Sequence, residues 1–181
     1  MINLKEILLH DGYRYSNNKK ILLKFFLKNP EYRFLIYFRI ASNKSKYSFI
    51  GFISRVLLGL NKGKYSIQIP INTTIKKGFH LNHYGNIIIN QGVSIGENCN
   101  VSQGVTLGNV SRGKLKGCPT IGDRVWIGAN AVVVGKITIG NDVLIAPLSY
   151  VNFDLPDNAV VVGNPAKIVS YKGSGGYLKN I

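Results

Sequence analysis

From Ile69 onward the chain repeats itself every six residues. Ile69, Ile75, Leu81 and Ile87 form one aliphatic row, which after a shift of two continues through Ile89, Ile95, Val101 and Leu107. Past residues 108–120 the row resumes at Ile121, Ile127, Val133, Ile139, Ile145 and Val151. All fourteen positions are Ile, Leu or Val. In a chain with 45% hydrophobic residues, even the looser hydrophobic criterion is met by chance about once in 10^5, before the register shifts are allowed for. Small or β-branched residues stand four places later, at Val93, Cys99, Val105, Val125, Ala131, Ile137 and Val143. A unit of six residues cannot bury its own face, so stacked units must share one core. Three units close a coil of about 18 residues, and Gly, Asn and Asp at the corners tolerate left-handed backbone angles. The pattern predicts a mainly β protein, a parallel β-helix with Cys99 as a small core residue.

The first third has a different texture, rich in Leu, Phe, Tyr and Lys, with helical spacing. Asn17 to Lys28 carries Ile21, Leu22, Phe25 and Phe26 on one side. Asn29-Pro30-Glu31 supplies a cap, a first-turn proline and an early acid for a second helix. A third starts after Ser48, with Phe49, Ile53, Val56 and Leu60 in register. The expected domains are a basic helical segment 1–64, a β-helix 65–155 interrupted by a loop at 108–120, and a C-terminal extension 156–181.

Charge sharpens this division. The chain has 23 Lys+Arg against 8 Asp+Glu, net +15 over 181 residues. Residues 1–65 hold 13 basic and 3 acidic side chains, net +10; residues 66–181 hold 10 and 5, net +5. The N-terminal helices therefore read either as a cap on the β-helix or a neighbouring subunit, or as a face for anionic membrane. Nucleic acid is not expected, since no binding motif accompanies the charge. No apolar run is long enough for a spanning helix, and no secretory leader is visible. Cys99 and Cys118 form no paired motif, so a cytoplasmic chain with reduced thiols is expected, peripheral to the inner membrane face if the helices bind lipid.

The runs Ile121-Gly122-Asp123-Arg124-Val125-Trp126-Ile127-Gly128-Ala129-Asn130-Ala131 and Val162-Gly163-Asn164-Pro165-Ala166-Lys167 resemble the hexapeptide-repeat acyltransferases over roughly residues 66–172. That resemblance implies a left-handed helix, a homotrimer, and acetyl-CoA as co-substrate with no metal. It also implies a pantetheine arm along the later coils, near Gly128, Ala129, Ala146, Pro147, Gly163, Asn164, Pro165 and Ala166, with Lys167 toward a coenzyme phosphate. The loop 108–120, bearing Arg112, Lys114 and Lys116, would project over a neighbouring subunit. It reads either as solvated or as a contact for an acidic acceptor.

The segment Gly78-Phe79-His80-Leu81-Asn82-His83-Tyr84-Gly85-Asn86 is similar to the catalytic stretch of serine acetyltransferases and of the related exopolysaccharide, colanic-acid type, O-acetyltransferases. By that likeness His83 is the general base. An alcohol is a weak nucleophile until its proton is taken, and a neutral imidazole suits that task near pH 7. His80 matches no catalytic position, and two histidines in the helix are too few for a three-ligand zinc site. The serine acetyltransferase pattern breaks at three places: Asn82 and Gln68 stand where it has aspartates, and Gly117-Cys118 where it has Arg-His.

A free amino acid needs a carboxylate for its ammonium and an arginine for its carboxylate. On that ground L-serine is expected to be a poor acceptor. A sugar hydroxyl in capsule or exopolysaccharide synthesis, lipid-linked or not, is preferred, bound by Asn82, Tyr84, Asn86 and Gln91, with Cys118 lining the site. Serine O-acetyl transfer, a different acyl donor or a nucleotide-sugar N-acetyl transfer, and a non-catalytic membrane-associated scaffold stay open beside it.

Overall fold

The structure of the protein, a computed structural model, describes residues 3–16 and 18–181. Met1, Ile2 and Asn17, the expected opening residue of the first helix, lie outside the described residues, as does the side chain of Ile21.

Four helices precede the strands. Leu4–Tyr15 forms α1, ahead of the first stretch whose spacing predicts a helix. Its buried residues are Asp11, Gly12 and Arg14, so its inward face shows no aliphatic row. Helix α2 spans Lys19–Lys28, and α3 spans Pro30–Asn43 with its proline in the first turn. Helix α4 spans Phe49–Tyr65, capped by Ser48, whose Oγ accepts from the Gly51 amide at 3.1 Å.

Strands then wind in coils. The first coil carries β1 (Ile67–Gln68), β2 (Thr74–Ile75) and β3 (His80–Leu81); the second β4 (Ile87–Ile89), β5 (Ser94–Ile95) and β6 (Asn100–Val101). The third carries β7 (Thr106–Gly108), β8 (Thr120–Ile121) and β9 (Trp126–Ile127); the fourth β10 (Val132–Val134), β11 (Thr138–Ile139) and β12 (Leu144–Ile145). The last coil has β13 (Tyr150–Val151) and β14 (Val160–Val162), and β15 (Lys167–Ser170) folds back antiparallel on β14.

Stacking gives three faces: β1-β4-β7-β10-β13, then β2-β5-β8-β11, then β3-β6-β9-β12-β14-β15. Apart from β15, every pairing is parallel. The parallel ladder continues through Val161, beyond the expected boundary at 155. Ile121 pairs with Ile139 and Val133 with Val151, so those coils advance by the 18 residues that the repeat implies. Strand β4 turns both Ile87 and Ile89 inward, which is the physical form of the two-residue shift in the row. All fourteen row positions and all seven positions of the second row are buried.

The helices close the lower end of this prism. Phe34, Leu35 and Phe38 of α3 join Ile67, Ile75 and Phe79 in one apolar cluster. A buried ion pair fixes the arrangement: Arg39 Nε donates to Asp11 Oδ2 at 2.7 Å, Arg39 Nη2 donates to the Lys76 carbonyl at 2.6 Å, and the Phe79 amide donates to Asp11 Oδ1 at 3.0 Å. The cap reading of the N-terminal segment thus holds for α1 and α3. Helix α4 differs, because Phe49, Phe52, Ile53, Val56 and Leu60 form an exposed stripe while Gly51, Ser54 and Leu58 are buried. No helix among the described residues is long and apolar enough to cross a membrane.

Candidate active site

The corner between the third and first faces recurs once per coil, and its backbone is held by an unbroken ladder. The Asn82 amide donates to the Val101 carbonyl at 3.0 Å, Ser102 to Ile127 at 3.0 Å, Gly128 to Ile145 at 2.8 Å and Ala146 to Val161 at 2.9 Å. Asn82, His83, Tyr84 and Asn86 therefore lie on this edge at the first coil. Gly128-Ala129, Ala146-Pro147 and Gly163-Asn164-Pro165 occupy the same edge at the third, fourth and fifth coils, with Ala166 buried behind them and Lys167 exposed. At about 4.8 Å per coil, the His83 corner and the Gly163 corner are separated by ~19 Å. One edge thus aligns a histidine at one end with the glycine- and alanine-rich corners at the other. At Gly128 a Cβ would stand 2.8 Å from Pro147 Cδ, so glycine is what lets these corners approach.

Locally, Asn86 adopts φ 50°, in the left-handed region that Asn tolerates. His83 and Tyr84 are exposed, and the Tyr84 ring meets Tyr65 edge-on at 5.2 Å. Asn82 points onto the third face: its Nδ2 donates to Ser102 Oγ at 3.0 Å, and its Oδ1 accepts from Asn100 Nδ2 at 3.3 Å. Gln91 and Cys118 are not with this group. They sit across the first face, at the next corner, where Cys118 Sγ lies 3.3 Å from Asn90 Oδ1. The loop is anchored there by paired amide–carbonyl bonds between Val110 and Gly117 at 2.9 and 3.0 Å.

The two thiols are poor nucleophiles for related reasons. Burial pushes the Cys118 thiol above its ordinary pKa, and burial drives Cys99 up to about 12. Cys99 is fully buried, with Sγ donating to the Gly122 carbonyl at 3.1 Å. The described residues contain no group of three or more His, Cys, Asp or Glu placed to hold a metal.

His80 is a different kind of group from His83. Its ring packs against Tyr15 at 4.2 Å between centroids, and its Nδ1 lies 2.9 Å from Asn82 Oδ1. Burial, with the Arg14 charge adding to it, pushes its pKa down to about 4. Arg14 reaches across from α1. It donates from Nη1 to the Gly78 carbonyl at 2.8 Å, from Nη2 to Asn100 Oδ1 at 2.5 Å, and from Nε to the Lys179 carbonyl at 2.9 Å. Arg14, His80, Asn82, Asn100, Tyr177 and Lys179 enclose a cavity of about 310 Å³ beside the His83 corner. Arg14, Tyr177 and Lys179 lie outside the repeat, and nothing in its six-residue period marks them. The one trace in the sequence is Asp11 and Arg14 spaced three apart, hence on one helical face.

The model of the family described as "Bacterial transferase hexapeptide (six repeats)" matches residues 118–152. A serine acetyltransferase of Helicobacter pylori (strain ATCC 700392 / 26695) is 33% identical over 165 residues, covering 91% of this chain and 94% of the relative. The chain belongs to the serine acetyltransferase family. The Bacillus subtilis (strain 168) serine acetyltransferase is 36% identical over 135 residues, 75% of this chain and 62% of the relative. In three dimensions the chain is similar to a Neisseria gonorrhoeae serine acetyltransferase in complex with serine. The TM-score there is 0.74 and the identity 26%, over 92% of this chain and 69% of that one. Membership makes the chain an acetyl-CoA-dependent acyltransferase, and the three-sided parallel helix fits the expected left-handed fold.

These findings overturn the expected sugar acceptor and the capsule or exopolysaccharide setting. That expectation rested on charges absent from the repeat and its loop, and the structure brings two from outside them, Arg14 of α1 and Lys179 of the tail, to the cavity that Asn82 lines.

Proposed function

We propose that this chain transfers acetyl from acetyl-CoA to the hydroxyl of L-serine, with His83 as general base. The imidazole accepts the hydroxyl proton as the oxygen attacks the thioester carbonyl. The C–S bond then breaks, the proton passes to the departing thiolate, and O-acetylserine and coenzyme A leave. Backbone N–H groups at the corner would steady the oxyanion. The observation that carries this reading is near-full-length similarity to a serine acetyltransferase, together with His83 heading the corner edge on which Gly128-Ala129, Ala146-Pro147 and Gly163-Asn164-Pro165 lie. Those corners are proposed to hold the pantetheine arm, with Lys167 near a phosphate. Thiol release from acetyl-CoA that depends on L-serine tests it.

A homotrimer is part of the proposal. The first face turns Ile88, Val132, Val134 and Tyr150 outward, and it separates the His83 corner from the corner bearing Gln91 and Cys118. Threefold closure would set one subunit's His83 corner against its neighbour's loop. A sedimentation mass of about three times 20.0 kDa is expected; the mass of a single chain at micromolar concentration would refute it.

A further inference from the structure

The cavity beside His83 has an unusual charge balance. Its lining holds two cations, Arg14 and Lys179, and no carboxylate. Arg14 is only 4% exposed, and its three hydrogen bonds go to neutral acceptors, the carbonyls of Gly78 and Lys179 and the amide oxygen of Asn100. The acid nearest in sequence, Asp11, is already engaged by Arg39 and the Phe79 amide. A guanidinium offers five N–H groups, so one on each Nη is left over for a further acceptor. A buried cation without a counter-charge is costly, and an anion entering this cavity would supply one. His80 adds no charge at neutral pH, because burial and Arg14 hold it neutral.

Position makes the site relevant to the reaction. Asn82 forms its wall and directly precedes His83. The His83 imidazole is also close enough to His80, on the cavity wall, to act on its charge.

We propose that Arg14 and Lys179 bind the carboxylate of the acceptor, which turns the acceptor hydroxyl toward His83. The inference rests on the L-serine reading and supplies the cationic contact that the loop segment Gly117-Cys118 lacks. It also ranks the two ends of the acceptor. The carboxylate meets full charges, whereas the ammonium meets only neutral polar groups. Loss of the carboxylate is therefore expected to cost more than loss of the ammonium.

Steady-state transfer is measured with L-serine, L-serinamide, which lacks the carboxylate, and 3-hydroxypropanoate, which lacks the ammonium. The unaltered protein is expected to use serinamide roughly 10–100-fold less well than serine in kcat/KM, with 3-hydroxypropanoate in between. Arg14→Gln is expected to raise the KM for serine and bring the serine-to-serinamide ratio within about threefold, leaving the KM for acetyl-CoA unchanged. Arg14 also ties α1 to the coils, so Lys179→Gln, on the exposed tail, repeats the test with a smaller effect in the same direction. Equal use of serine and serinamide by the unaltered protein overturns this inference and leaves the serine reading standing. A serinamide deficit that both variants retain in full overturns it as well. No transfer to serine at all sinks the serine reading, and this inference with it.

Discussion

His83→Ala is expected to lower acetyl transfer by roughly 10²–10⁴-fold, the usual size of a general-base contribution. The loss should appear in kcat, with acetyl-CoA binding retained. His83 stands at the first coil, whereas the corners proposed for the coenzyme lie about 10–19 Å further along the edge. His83 is exposed, so its removal opens no cavity in the core. Cys118→Ala is the informative contrast. Its thiol is pushed above the ordinary pKa by burial and lies at another corner of the same chain, so most activity should remain. Steady-state kinetics of the two variants decide between direct attack and a thiol intermediate. A His83→Ala protein within a few-fold of the parent, beside an inactive Cys118→Ala, would establish the latter.

The second large effect concerns acid. His80 has a folded-state pKa of about 4 against an ordinary 6.5. Above pH 6.5 neither the folded nor the unfolded chain binds the proton, and stability is unaffected. As pH falls from 6.5 to 4 the unfolded chain takes up a proton that the folded chain refuses, so stability is lost through that window. Below pH 4 both forms carry it and the loss is complete. The full difference amounts to about 3 kcal/mol. His80→Gln removes the titration, and its urea midpoints at pH 7 and pH 4 should differ by correspondingly less than those of the parent. Parallel acid limbs for the two proteins would contradict the buried neutral imidazole described here.

The β-helix was legible because its signal is local. A coil places every sixth side chain in the core, so burial writes itself into sequence as a short period, and even the shift at Ile87 and Ile89 corresponds to a strand with two inward residues. The His83 corner was legible for the same reason, since the motif lies within one coil. Helix α1 left no such mark. It holds to the coils through Asp11 and Arg14, residues that in a sequence look like solvated surface. The acceptor expectation failed on the same ground: Asn82 and Gly117 show which charges the repeat lacks, whereas the cations proposed to replace them come from a helix about 70 residues earlier and a tail about 100 residues later. Long-range contacts of this kind have no periodic trace. The exposed stripe of α4 shows the reverse limit, because Phe49, Ile53, Val56 and Leu60 have the spacing of a buried face and are left uncovered in the single chain.

The acceptor itself is the central claim, and release of coenzyme A thiol from acetyl-CoA tests it most directly. It should be followed with millimolar L-serine and, in parallel, with a nucleotide-linked sugar. Serine-dependent release that disappears in His83→Ala, with no release on the sugar, is the predicted result. Release on the sugar and none on serine would contradict the account.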